Sequence, residues 1–243
     1  MNASKILLFT TLAASTTQAA LVKVLQVNLG NNGSSPTITN EPGFTNWTVG
    51  DRSTDGTYTN TINSIGLTVT TTVSESNQLR ALNRSSTYGG TLGNLTDSWW
   101  GVRSNASGDD GGQFVFAIDG ADLGAGSFEW TSWHTDESNQ SGTMLIEFSI
   151  DGGSNYSTAF SDFDIVDNVV DGTTGAPNPA NFSFVSNGGD DILVRFTYTG
   201  ATGSADNFAV VNGFQIDAVV PEPSSTALLG LGGLALMLRR KRG

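Results

Sequence analysis

Apolar residues recur at every second position through the body of this chain, and that period restricts it to strands. In SIGLTVTTTV, Ile65, Leu67, Val69, Thr71 and Val73 share one side of an extended backbone. Phe114, Phe116 and Ile118 repeat the pattern, as do Met144, Ile146, Phe148 and Ile150, and Ile192, Val194, Phe196 and Tyr198. Successive side chains of a strand point to opposite faces, so each run describes one buried and one wetter face. LVKVLQVNL and NFAVVNGFQIDAV read as the first and last strands. No helix-period stretch of ten residues occurs between 21 and 220.

Turn chemistry punctuates these runs. Asp151-Gly152-Gly153 follows a clean strand and precedes STAFSDFDIV, which predicts a hairpin. Asp119-Gly120, Asp171-Gly172 and Asn187-Gly188-Gly189 mark further turns. Residues 30 to 56 and 83 to 112 are loop-rich, and Asn-x-Ser/Thr triplets at Asn46, Asn83 and Asn181 read as polar loops. The expected fold is all-β, an antiparallel β-sandwich over 20–218, with the first strand beside the last.

Charge is distributed unevenly. Between 21 and 220, six Lys and Arg face 22 Asp and Glu, a balance of −16. A surface this acidic repels phosphate backbones and excludes nucleic acid as a partner. The absence of cysteine rules out disulfides, thiolate metal sites and a cysteine nucleophile.

Both termini carry addresses. One early cation, Lys5, precedes nine mainly apolar residues, Ile6–Ala14, and then STTQAA. Thr17 and Ala19 have the −3 and −1 spacing a signal peptidase reads, so residues 1–19 form a signal peptide cleaved between Ala19 and Ala20. At the other end, Ser224–Leu238 is an uncharged stretch of fifteen residues. As a short helix it measures about 22 Å at 1.5 Å per residue, against a hydrocarbon core of about 30 Å. Arg239, Arg240, Lys241 and Arg242 would hold its end in the cytoplasm as a stop-transfer block. Pro221 and Pro223 keep the preceding segment extended. A marginal, transient inner-membrane anchor thus follows a stiff peptide that a membrane enzyme can grip.

Val220-Pro221-Glu222-Pro223-Ser224, the Leu/Gly/Ala helix and the basic block closely resemble the PEP-CTERM sorting signal of bacteria. The resemblance covers residues 219–243. It implies that Pro221, Glu222 and Pro223 are the recognition element for an exosortase-type membrane processing enzyme. It also implies a membrane-anchored precursor destined for the cell surface or extracellular matrix, in a structural or adhesive role. In its pattern of short strands the body resembles the jelly-roll domains of bacterial surface proteins and carbohydrate-binding modules.

Local chemistry in the body is sparse. Trp99 and Trp100, in a Gly- and Asp-rich loop, and Trp130 and Trp133, in EWTSWHTDES, are candidate stacking platforms for an extracellular polysaccharide. Trp130 and Trp133 differ by an odd number, so one faces the core and the other solvent. Asp109, Asp110, Asp119 and Asp122 are candidate ligands for structural calcium in oxygen-rich turns. His134 is the single histidine and has no second histidine to complete a zinc site. Glu129 and Glu147, if on adjacent strands, would be a pair of the kind glycoside hydrolysis needs. No nucleophile motif accompanies them, and the chain is expected to be no enzyme.

Overall fold

The structure, a computed structural model, describes residues 19–33, 38, 40–50, 56–72, 79–83, 92–96, 98–103, 112–135, 143–164, 179–199 and 208–221. Its strands are β1 (Ala19–Asn31), β2 (Thr45–Val49), β3 (Thr57–Ile62), β4 (Ile65–Thr72), β5 (Leu79–Asn83), β6 (Ser98–Arg103) and β7 (Gln113–Ile118). They continue with β8 (Ala125–Trp133), β9 (Thr143–Ser149), β10 (Ser157–Asp164), β11 (Ala180–Asn187), β12 (Ile192–Tyr198), β13 (Phe208–Val211) and β14 (Gly213–Pro221). Among the described residues the helices are two single turns, α1 (Gly93–Thr96) and α2 (Gly120–Leu123). The chain divides into two units, Val22–Ala218 and the termini, Met1–Leu21 with Val219–Gly243. Of the terminal unit, the described residues are Ala19–Leu21, the start of β1, and Val219–Pro221, the end of β14.

The unit Val22–Ala218 is an antiparallel β-sandwich. One sheet has the order β11-β8-β14-β1-β2, the other β10-β9-β12-β7-β4-β3, and a third, β13-β6-β5, has three strands. The first strand does lie beside the last, β1 next to β14. One ladder departs from the antiparallel expectation: β2 runs parallel to β1, with Leu29 opposite Trp47. A parallel neighbour needs a long crossover rather than a tight turn, and residues 32–44 provide it.

The period-two runs become the inner faces. Phe114, Phe116 and Ile118 of β7 and Ile192, Val194 and Phe196 of β12 are all but fully buried, and face Leu25, Val27, Leu29, Trp130, Phe214 and Ile216 of the first sheet. Trp130 stacks on Phe214 at 4.6 Å, and Phe214 meets Phe116 edge-on at 5.1 Å. Such aromatic pairs add about 0.5–1.5 kcal/mol each beyond the area they bury. Ile150 falls off the pattern. Ile150 is 42% exposed at the end of the β9 run, and Val73 lies outside the described residues.

Glycine and aspartate shape the β9–β10 hairpin. Gly152 and Gly153 adopt φ of 68° and 92°, where a Cβ would be strained. The Asp151 carboxylate accepts from the Ser149 hydroxyl at 2.6 Å and from Asn155 N–H at 2.9 Å. These bonds, Ser149 first, hold its pKa down at about 2.

The third sheet joins the first through amides. Asn31 N–H donates to Asn83 Oδ1 at 2.7 Å, and Asn83 Nδ2 returns a bond to Asn31 C=O at 2.7 Å. Ser98 Oγ donates to Asn28 Oδ1 at 3.1 Å, and Trp100 Nε1 donates to Gly30 C=O at 2.9 Å. Asn212, at the break between β13 and β14, donates to Ser98 C=O at 2.9 Å. All of these asparagines are buried, so each amide must find partners within the protein, and does.

Candidate functional site

Of the predicted sorting residues, Pro221 is described: it is the exposed last residue of β14. Glu222, Pro223 and the block Arg239, Arg240, Lys241 and Arg242 lie outside the described residues, as does the apolar stretch before the block. Among the described residues no helix is long and apolar enough to cross a membrane. Ala19 and Ala20 open β1, the first exposed and the second half-buried.

The four tryptophans are not a platform. Trp100 and Trp130 are fully buried, and Trp99 and Trp133 are 2% and 5% exposed. Trp130 and Trp133 do face opposite sides of their sheet, but neither faces solvent. Trp130 points into the main core, while Trp133 on the opposite face packs edge-on against Phe44 at 5.6 Å, in a cluster with Leu95 of α1. Trp99 and Trp100 stand in strand β6, not in a loop, because β6 is the middle of the third sheet. Trp100 enters the main core, and Trp99 packs with Phe208 and Val210 on the other side. The faces of β6 and β8 that carry Trp99 and Trp133 are covered, so the indoles offer no open ring to a sugar.

Asp119 and Asp122 serve the backbone. Asp119 caps α2, its Oδ1 accepting from Ala121 N–H at 2.9 Å and Asp122 N–H at 3.1 Å. Asp122 Oδ2 accepts from Gly66 N–H at 2.9 Å and so ties α2 to β4. Asp109 and Asp110 lie outside the described residues. Among the described residues no three His, Asp or Glu side chains gather to hold a metal ion.

His134 forms a hydrogen-bonded pair with Ser132, Nε2 to Oγ at 2.8 Å. Its Nδ1 lies 2.6 Å from Val210 C=O, so Nδ1 carries the proton and donates, and Nε2 accepts from the hydroxyl. Both residues are fully buried. Desolvation outweighs the Val210 bond and lowers the imidazole pKa to about 4. The ring sits edge-on to Phe163 at 5.1 Å and tilted against Phe196 at 5.3 Å. A Ser-His pair sealed among phenylalanines admits no substrate and acts as a polar joint within the core.

Glu129 and Glu147 are not on adjacent strands. Glu129 belongs to β8 of the first sheet and Glu147 to β9 of the second. Glu147 pairs with Arg195 across the β9–β12 ladder at 2.7 Å, and the guanidinium lies 3.7 Å from the Tyr156 ring centroid.

Sequence reasoning missed a polar row on the outer face of the first sheet. Phe214 and Ile216 point into the core, so Gln215 and Asp217 point away from it. Gln26 Nε2 donates to Gln215 Oε1 at 3.2 Å, and Gln215 Nε2 donates to Asp217 Oδ2 at 2.8 Å. Turned over, the Gln26 amide instead donates to Gly43 C=O and accepts from Lys23 Nζ, both at 3.1 Å. Glu129 stands directly opposite Asp217 in the β8–β14 ladder, and Ser183 stands opposite Glu129 on β11. Asp217 is 3% exposed, and its Oδ1 is buried with no hydrogen-bond partner. The available signal was Gln and Asp set between the apolar residues of GFQID.

Residues 219–242 match the family model of the PEP-CTERM protein-sorting motif. The matched segment begins inside β14, whose last residue, Pro221, is the first of the Pro-Glu-Pro triplet. No curated protein matches the chain in sequence. Among solved structures, the chain is similar to the CBM22-1 xylan-binding domain of Xyn10C from Paenibacillus barcinonensis, at 10% identity and a TM-score of 0.38. That likeness covers 71% of this chain and 99% of that one. A family 35 carbohydrate binding module from Clostridium thermocellum is 14% identical over 66% of this chain and 97% of its own, at a TM-score of 0.34. The ANX2 ectodomain from Arabidopsis thaliana is 12% identical over 84% of this chain and 54% of its own, at 0.42. At these identities none of them assigns a ligand to this chain.

Proposed function

We propose that this chain is an exported bacterial surface or extracellular-matrix protein, delivered through its C-terminal signal, whose β-sandwich has a structural or adhesive role. The match of residues 219–242 to a protein-sorting motif carries the reading. In it, a signal peptidase cuts between Ala19 and Ala20. Ser224–Leu238 then lodges in the inner membrane with Arg239–Arg242 inside, and an exosortase-type enzyme recognises Pro221-Glu222-Pro223. The helix suits a temporary stay, because it is shorter than the lipid core and Gly230, Gly232 and Gly233 weaken it. The body suits a scaffold: its tryptophans are spent on its own interior, and its one Ser-His pair is sealed.

The test replaces Pro221, Glu222 and Pro223 with alanine in the producing cell and follows the chain by fractionation. The expected result is an unprocessed precursor held in the membrane fraction. Release at the parental level, or an intact Gly243 on protein collected outside the cell, would overturn the sorting role.

A further inference from the structure

We propose that Asp217 and Glu129, on the outer face of the β11-β8-β14-β1-β2 sheet, hold a divalent oxygen-seeking cation of the calcium class. The anomaly that requires a ligand is Asp217 Oδ1. A buried acceptor without a donor costs about 1–3 kcal/mol, and more when it is charged. Among the described residues no N–H, hydroxyl or cation reaches that oxygen, although Gln215 serves the other at 2.8 Å.

The second carboxylate is placed by register. Glu129 is the cross-strand partner of Asp217 in the ladder, on the same face. Residues so paired have Cβ atoms about 4.5–5.5 Å apart, and like charges in that position destabilise a sheet. Two costs therefore coincide, an orphaned buried oxygen and an opposed pair of anions, and one cation between them removes both. The dimensions agree: calcium sits about 2.4 Å from each of its oxygens, so one ion bridges carboxylates of neighbouring strands.

Lys23, the lysine on this row, stops short of the pair. Lys23 Nζ reaches the Gln26 amide, at 3.1 Å when that amide is turned over, and Gln26 and Gln215 stand between it and Asp217. Calcium completes its shell of six to eight oxygens with water as well as protein oxygens; Gln215 turns its Nε2, not its Oε1, toward Asp217. The site therefore needs only two carboxylates. It is separate from Asp119 and Asp122, whose oxygens serve α2 and β4.

The test measures thermal unfolding of the full-length protein in detergent, first with chelator and then with calcium chloride up to about 1 mM, the range of extracellular calcium modules. A ligand that binds only the folded state raises the midpoint as its concentration passes Kd. The expected result is a rise of several degrees that reverses on chelation, is lost in Asp217→Asn and Glu129→Gln, and persists in Asp119→Asn/Asp122→Asn. If Asp217→Asn fails to fold, Glu129→Gln decides alone. No rise in the parent, or a parental rise in Glu129→Gln, would overturn the proposal. A rise abolished only by the Asp119 and Asp122 changes would overturn it as well.

Discussion

Asn212 and Thr135 hold each other from both sides: Thr135 N–H donates to Asn212 Oδ1 at 2.6 Å, and Asn212 Nδ2 donates back to Thr135 C=O at 3.1 Å. The same Nδ2 reaches Ser98 C=O, while the Asn212 main chain accepts from Leu29 N–H and donates to Trp133 C=O, both at 2.9 Å. One residue thereby ties together β1, β6, the end of β8 and the β13–β14 break.

Asn212→Ala should therefore be among the most damaging single changes in the body. It orphans a buried N–H and removes the donor from two carbonyls, at a cost of about 3 kcal/mol. Urea unfolding of the full-length protein, compared with the parent at equal slope, measures it. A loss below about 1 kcal/mol would show the network to be redundant.

His134 makes the fold sensitive to mild acid. Its folded pKa, about 4, lies below the ordinary 6.5, so the folded state binds the proton less readily than the unfolded chain. Its stabilising effect is complete above pH 6.5 and is lost as pH falls from there towards 4, roughly 3 kcal/mol in all. Asp151 does not blur the window. Its depressed pKa, about 2, keeps its contribution present above 3.8 and loses it only as pH falls towards 2. With one histidine in the chain, its ring resonance followed by NMR should show no titration between pH 7 and 5.

Tryptophan emission should be blue-shifted and insensitive to sugars. All five indoles, Trp47 included, are 5% exposed or less. Titration with xylan or with the producer's own polysaccharide should leave intensity and peak position unchanged. Quenching on saccharide addition would mean that a ring opens to solvent in solution.

The β3–β4 hairpin turns on Asn63 and Ser64, with φ of 53° and 66°. Two positive φ values are the signature of the tight turn whose twist matches the strands it joins. Ser64→Gly should stabilise the protein by roughly 0.5–1 kcal/mol by removing a left-handed cost, and Ser64→Val should destabilise it. Equal unfolding midpoints for the two variants would contradict this geometry.

Inner strand faces were legible wherever alternation was clean, as in Phe114–Ile118 and Ile192–Tyr198, because burial on one side is what period two encodes. The Asp151-Gly152-Gly153 hairpin was legible because glycine supplies the positive φ. Asn63-Ser64 hid the other hairpin, since serine announces no such backbone. The tryptophans misled for a different reason. Alternation says which side of a strand a residue occupies, and nothing local says that a third sheet or a single-turn helix covers that side. Asparagine was the least legible residue. Asn46, Asn83 and Asn181 read as loop markers yet stand in β2, β5 and β11, and Asn83 is a buried fastener whose partner, Asn31, is 52 positions away.

Among the described residues, the fasteners between the third sheet and the first are carboxamides, a hydroxyl and an indole N–H, not ion pairs. Dissolved electrolyte screens charges but leaves neutral dipoles in a dry seam almost untouched. That seam should be as tight in seawater as in fresh water, a useful property for the extracellular role proposed above.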